Sequence, residues 1–375
     1  MKVGVPREHH PAERRVALVP AHVSSLTGAG LDVIVEHGAG EKSGHADAEY
    51  EAKGASLVDD ARGEADILLT VRSAAAAGDD DPGAGRDGQI VIGFLEPWEP
   101  HASFAAYQQR RVTAFSMELI PRITRAQSMD ALSSMANLAG YRAAIVAAEA
   151  LPKMFPMMMT AAGTIVPARA FVVGVGVAGL QAIATARRLG AVVSAYDVRP
   201  AVKEQVLSLG AKFVEMELET AEGQGGYAKE MDETFYRRQR ELMGDVVADS
   251  DLVITTAAIP GKPSPVLVTK EMVERMRPGS VIVDLATERG GNCELSEPGR
   301  RVTKHGVTII GPTDTASALA FNASQLYSKN ITTFLLAMVK DGELTVDMDD
   351  EIVAATLVTR DGEIPNAEIR ERLGG

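Results

Sequence analysis

Short apolar runs bounded by turn residues recur along the chain, and stretches of helical spacing separate them. Lys2–Val5, Asp32–Glu36, Asp66–Val71, Gln89–Phe94 and Arg111–Phe115 read as strands, with helices over Ala21–Gly30 and Ala46–Lys53 between them. A longer helix is expected over Ala131–Glu149, capped by Asp130 or Ser128. A second series follows: strands at Phe171–Val173, Val192–Asp197, Ala211–Glu215, Asp251–Thr256, Ser280–Leu285 and, last, Val307–Ile310. Helical spacing resumes from Phe321 to Lys340, and the tail Asp341–Gly375 returns to cap the first series. Strands alternating with helices predict an α/β fold with two Rossmann-like, doubly wound parallel-sheet domains and a cleft between them. The expected boundaries are 1–133 plus 321–375 for the N-terminal domain and 134–320 for the second.

The second series begins with a turn that carries chemistry. Gly174, Gly176 and Gly179 form G-x-G-x-x-G between an apolar strand and a helix whose first residues include Val177 and Ala178. The first glycine permits the tight turn, the second lets backbone approach a pyrophosphate, and the third lets the helix pack closely on the sheet. The helix N-terminus favours an anion. Asp197 ends the next strand, about 20 residues on, where a carboxylate takes ribose hydroxyls. Val198 and Arg199 follow it. A carboxylate at that position repels a 2′-phosphate, which favours NAD; Arg199 is the competing reading, placed in the loop beyond. Thr256, Ala257 and Pro260 fall at and after a later strand end, toward the nucleotide's far ribose.

Two segments break the alternation. Ala74–Gly88 is low in complexity and reads as a surface loop. Met216–Phe235 contains Gly223-Gln-Gly-Gly-Tyr227 and is longer than an ordinary strand-to-helix connection, as lids are. Phe155–Met159, with three consecutive methionines, is expected to pack a domain interface.

Composition narrows the function classes. The chain has 375 residues, enough for two domains, and its net charge of −13 argues against a nucleic-acid partner. One cysteine, Cys293, excludes an internal disulfide and a cysteine-cluster metal site and suits a reducing cytoplasm. No apolar stretch is long enough to cross a bilayer, and the N-terminus has no signal-peptide pattern. Seven histidines lie mostly in polar loops or at helix edges and read as surface residues; no catalytic triad or metal signature is present. The acidic run Asp347–Glu351 reads as a solvated face. Arg122, Gln127, Asp130 and Ser133 form a polar loop at the junction of the two series. Its residue types suit holding a nicotinamide and its ribose in a set geometry; helix capping is the plainer alternative.

These motifs together resemble the NAD(H)-binding component (domain I) of proton-translocating NAD(P) transhydrogenases. The likeness rests on Val3–Arg7 with Arg15–Leu18, Met117–Ser134, Phe155–Gly163, Gly174–Leu180, Gly225–Met231, Thr255–Pro263 and Asp284–Asn292. Arg122-Ile-Thr-Arg-Ala-Gln127-Ser-Met-Asp130 is similar to the family's Arg-Gln-Asp loop on the nicotinamide side of NAD(H), and Ser133 falls where a family serine acts with it. Tyr227 matches the tyrosine of the family's mobile loop, and Asp197 the acid holding the adenosine ribose. The resemblance implies a homodimer that passes hydride directly from NADH to NADP⁺. The NADP(H) would be bound on a partner component, and a membrane-spanning subunit would conduct protons. The chain would sit at the cytoplasmic side of the membrane through those partners. Alanine dehydrogenase shares the N-terminal pattern and is the alternative. Its lysine, histidine and aspartate correspond here to Arg72, Phe94 and Glu288, which leaves iminium chemistry without a proton carrier. A nucleotide-sensing module with no reaction of its own is a third reading.

Overall fold

The computed structural model describes residues 1–72, 85–98, 102–216, 231–258 and 261–372. Tyr227, Pro260, the Gly223–Tyr227 segment and most of Ala74–Gly88 lie outside the described residues. The chain divides into two units, Met1–Met135 with Ala316–Gly375, and Ala136–Thr315, so the division falls inside the helix Ala131–Ala150.

Among the described residues the first unit carries a seven-stranded sheet. From one edge to the other its strands are Leu357–Thr359, Thr113–Ser116, Ile90–Phe94, Ile67–Arg72, Lys2–Val5, Asp32–Glu36 and Ser56–Val58. The second unit's sheet, also seven-stranded, runs Lys212–Phe213, Val192–Tyr196, Arg169–Val173, Leu252–Thr255, Val281–Asp284, Val307–Gly311 and Arg300–Lys304. In each sheet all pairings are parallel except that of one edge strand, Leu357–Thr359 in the first and Arg300–Lys304 in the second.

Burial explains the apolar runs. Ala170 and Val172 join one core layer with Ala182, Ile183 and Ala186 of the helix Val177–Arg188 and with Ala143, Ala144 and Ala147. Their neighbours Phe171 and Val173 join the opposite layer with Met243, Val247 and Met272. A parallel strand covered by helices on both faces has no polar alternation to show.

Three expectations need correction. Val307–Gly311 is not the last strand: Arg300–Lys304 pairs with it as a hairpin, and Leu357–Thr359 closes the other sheet. The hairpin turns at His305 (φ 52°) and Gly306 (φ 78°), both left-handed as a two-residue turn requires. Arg300–Lys304 is almost wholly exposed and so has no apolar signature. Second, Phe155 is buried, but Met157, Met158 and Met159 are exposed on a hairpin, Met158–Thr160 with Gly163–Ile165. Third, His45 is not a surface residue: it is buried and stacks on Phe321 with ring centroids 5.2 Å apart.

Candidate functional site

In the second unit the strand order reverses at Arg169–Val173. The chain proceeds to Val192–Tyr196 on one side and to Leu252–Thr255 on the other. Ligands of open parallel sheets bind where the order reverses, beyond the carboxyl ends of the strands. The glycine turn occupies that position.

Each glycine of the turn answers a different constraint. Gly174 has φ 89°, and a Cβ there would lie 2.8 Å from the Thr256 hydroxyl and 3.0 Å from the Ala257 amide nitrogen. A Cβ on Gly179 would lie 1.9 Å from the Gly174 carbonyl oxygen, so the helix can approach the turn only without one. Gly176 is different. Its φ of −79° suits any residue, and a Cβ would meet nothing within 4 Å. The protein itself gives no reason for glycine there; a ligand brought against the backbone does. Gly176 is the N-cap of Val177–Arg188 and supplies no side-chain cap. The first-turn amides of Val177, Ala178 and Gly179 therefore point toward open space with the positive end of the helix dipole. This arrangement fits a pyrophosphate.

Asp197 closes one side of the turn. Its Oδ2 accepts the Val175 amide at 2.7 Å, which ties the acid to the glycine loop. Arg199 does not stand off in the loop beyond. Its backbone amide and Nε both donate to Asp197 Oδ1, at 2.9 and 2.8 Å, and its Nη2 donates to Oδ2 at 2.7 Å. Only 5% of the Asp197 side chain and 12% of the Arg199 side chain are exposed. Acid and arginine form one buried pair, where sequence order alone makes them competitors. Val198, between them, packs against the core layer containing Phe171 and Val173.

The opposite side of the turn is held by a chain of polar contacts. The Thr256 hydroxyl donates to the Gly174 carbonyl at 3.0 Å. The next residue, Ala257, is gripped by Asn292, which accepts its amide at 2.9 Å and donates to its carbonyl at 2.8 Å and to that of Pro265 at 2.9 Å. Asn292 is fully buried and is in turn fixed by Asp284, which accepts its amide at 2.8 Å. Asp284, also fully buried, further accepts from Thr255 Oγ1, Ser296 Oγ and the amides of Ala286 and Cys293. Burial pushes the Cys293 thiol up to about 12, so it is no nucleophile at neutral pH. Sequence reasoning gives neither Asp284 nor Asn292 a role of its own. Their one local signal is the adjacent pair Gly290 and Gly291, both left-handed (φ 96° and 84°), which turns the chain back beneath Ala257.

The polar loop lies in the first unit. Residues Thr124–Met129 form a 3₁₀ turn whose Ala126 and Met129 are buried. Arg125 bonds both oxygens of Asp350, at 2.7 and 2.9 Å, and holds that carboxyl down to about 2. Asn330 donates to the Ser128 carbonyl at 2.9 Å. Arg122 and Gln127 are exposed on this anchored support. Asp130 and Ser133 are turned to each other: Asp130 accepts the Ser133 amide at 2.8 Å and its hydroxyl at 2.6 Å, the geometry of a helix N-cap. Two of the four polar residues thus build the helix start, and two present exposed ends. Among the described residues no group of acidic, histidine or cysteine side chains could hold a metal ion, and no helix is long and apolar enough to cross a membrane.

Models of the alanine dehydrogenase/PNT N-terminal and C-terminal domains match residues 4–139 and 143–367. The chain belongs to that family. Within it, the first of the separate polypeptides of the NAD(P) transhydrogenase alpha subunit of Rhodospirillum rubrum is 51% identical over 374 residues, covering 97% of each chain. A solved transhydrogenase from Sinorhizobium meliloti superposes with a TM-score of 0.88 at 48% identity, over 97% of this chain and all of that one. The alanine dehydrogenase of Mycobacterium tuberculosis is more distant, 34% identical over 80% of this chain and 76% of its own. The chain therefore sides with the transhydrogenase alpha subunits, and its two-unit α/β fold is that of the family.

Proposed function

We propose that the chain binds NAD(H) on its second unit and passes hydride directly between that nicotinamide and an NADP(H) held by a partner component. Separate membrane-spanning subunits would conduct the protons that drive the transfer, with the chain a homodimer docked on them from the cytoplasm. The observation that carries the reading is the uncapped helix start at Gly176, open where a Cβ would stand, beside a buried carboxylate on the neighbouring strand end. The relatives' names supply the reaction class.

The bound nicotinamide supplies the hydride chemistry. The chain's own residues bind and orient it. Amides at Val177–Gly179 take the pyrophosphate, and Asp197 takes the adenosine ribose. Thr256 and Ala257, held by Asn292, floor the far side of the turn. Gln127 and Arg122, on their anchored loop, set the nicotinamide in place, while Asp130 and Ser133 hold the loop through the helix cap. Transfer between two nicotinamides moves no separate proton, so no general acid is needed. An amino-acid dehydrogenase needs one. At the corresponding place stands Phe94, whose ring packs on Tyr327 at 5.0 Å and lies under the Arg15 guanidinium at 5.9 Å. Both prongs of Arg15 are already on Glu13, at 2.7 and 2.6 Å. The homodimer is supported by the exposed apolar hairpin: Met157, Met158, Met159, Ile165 and Val166.

The test mixes the purified chain with NADH and an NADP⁺-loaded partner component and follows single-turnover transfer. Gln127→Asn, one methylene shorter, should cut the transfer rate by about a hundredfold, as misplacement of reacting atoms does. NADH affinity should change by less than about tenfold. Affinity that collapsed with normal transfer at saturating NADH would make the loop a binding clamp. Robust NAD reduction by alanine would restore the dehydrogenase reading.

A further inference from the structure

We infer that Arg199 is a latch on the ribose seat. In the ligand-free chain its guanidinium occupies the two carboxylate positions that a vicinal ribose diol must take, so adenosine binding is an exchange of fork for diol. The inference rests on the NAD(H) site proposed above and concerns how that site chooses its ligand.

The argument is a count of acceptor positions. A carboxylate offers about two acceptor directions on each oxygen. On Asp197 all are used: Oδ1 by the Arg199 amide and Nε, Oδ2 by the Val175 amide and Arg199 Nη2. The four donors divide into two kinds. The Val175 and Arg199 amides belong to the backbone on either side of the seat and stay with it. Nε and Nη2 belong to one mobile side chain, and each covers a different oxygen. When that side chain swings away, one acceptor position opens on each oxygen, held in place by the two amides. That is the pattern a 2′,3′-diol fills with its two hydroxyl donors. The latch also explains why the acid tolerates burial without a ligand: an unpaired carboxylate only 5% exposed would be strongly disfavoured.

Selectivity follows from the exchange. A 2′-phosphate removes one hydroxyl donor and adds negative charge, so it cannot replace the fork on the carboxylate. With the latch shut, the seat is a neutral ion pair. Discrimination against NADPH then comes from failure to open it, with charge repulsion acting only once it is open.

The test uses the whole chain and isothermal titration with NADH, ADP, NADPH and nicotinamide mononucleotide, at moderate and at high ionic strength to screen the long-range loss of a cation. Arg199→Met keeps the stem and removes the fork. If the latch is shut about nine-tenths of the time, apparent affinity is reduced about tenfold by the closed population. NADH and ADP should therefore bind Arg199→Met about tenfold tighter, and NADPH no tighter. Arg199→Lys, with one ammonium in place of the fork, should fall between. In the unmodified chain, the Arg199 Nε–H resonance should lose its exchange protection on adding ADP and keep it on adding nicotinamide mononucleotide, which lacks the adenosine ribose. NADH binding weaker to Arg199→Met at high salt, or an Nε–H signal unmoved by bound ADP, overturns the latch. Absence of NADH binding by the unmodified chain would instead overturn the nucleotide site itself.

Discussion

Asn292 is the residue on which the far wall of the glycine turn depends, and its loss should be measurable in two ways. Asn292→Ala removes three hydrogen bonds, of 2.8–2.9 Å, to the Ala257 amide, the Ala257 carbonyl and the Pro265 carbonyl. At about 1 kcal/mol net for each, the cost is about 3 kcal/mol. Ala257 is only half-buried, so a water entering the vacated space recovers part of it, and about 2 kcal/mol is the lower bound. For a unit of this size that corresponds to a fall in melting temperature of about 4–12 °C. Asn292→Asp separates packing from donor loss. It keeps the volume and the acceptor for the Ala257 amide but turns an anion toward two carbonyls, so above neutral pH it should destabilise at least as much as alanine. Thermal melts of both variants, with NADH titration on the surviving fold, are the assay. NADH affinity should fall by about tenfold, or 1.4 kcal/mol, because the segment bearing Thr256 and Ala257 is no longer fixed. If the aspartate variant matched the original chain in melting temperature, the carbonyls would not depend on these donors and the reasoning would fail. If stability dropped while NADH affinity held, Asn292 would support the fold alone.

Gly140→Ala places a Cβ 2.0 Å from the Ala178 carbonyl oxygen, forcing the helix Ala131–Ala150 off the nucleotide helix; urea unfolding should show a loss of about 3 kcal/mol or more. Desolvation pushes the Glu8 carboxyl up to about 7 against the pull of the Val71 and Arg72 amides. A pKa raised in the folded state gives stability that is complete below the unfolded value near about 4.3 and is lost as pH rises through 7. The urea midpoint should therefore carry a downward component between pH 5 and 8 that Glu8→Gln removes; an unchanged pH profile in the variant would refute the assignment. Met159→Lys with Val166→Glu puts charge on the apolar hairpin, where exposures are 76% and 62%, and sedimentation should show monomer where the original chain dimerises.

What could be read from the sequence was what local spacing determines. Gly174, Gly176 and Gly179 act within a few residues of one another, so their spacing carried their roles. Asp130 and Ser133 stand three apart, and the capping alternative named for them is the geometry observed. Arg199 lies only two residues from Asp197, but sequence order could not say whether its side chain would extend or fold back; burial of the carboxylate decides that. The edge strands escaped for another reason. Arg300–Lys304 is polar on both faces, and Leu357–Thr359 is three residues long, too short to show a period. Asn292 and Gly140 act across 35 and 38 residues, on Ala257 and Ala178, and no local pattern encodes such a meeting.

The two sheets share a topology, yet only one has a glycine turn at its reversal, and the reason is visible in how each spends its backbone amides. In the first unit the order reverses between Lys2–Val5 and Ile67–Arg72. Residues 6–19, which follow the first of these strands, contain no glycine, and the next helix begins only at Pro20. The amides beyond the second strand are taken internally: Glu8 receives those of Val71 and Arg72 at 2.6 and 3.2 Å, over a cavity of about 260 Å³ shared with Glu13 and Arg15. A carboxylate of the protein therefore sits where an anionic ligand would find its donors. In the second unit the corresponding donors, at Val177–Gly179, have no side-chain cap from Gly176, and the acid nearby is held to one side by Val175 and Arg199. The same fold thus yields one sealed reversal point and one open one. The difference rests on a glutamate that points inward in the first unit and a glycine that leaves space in the second.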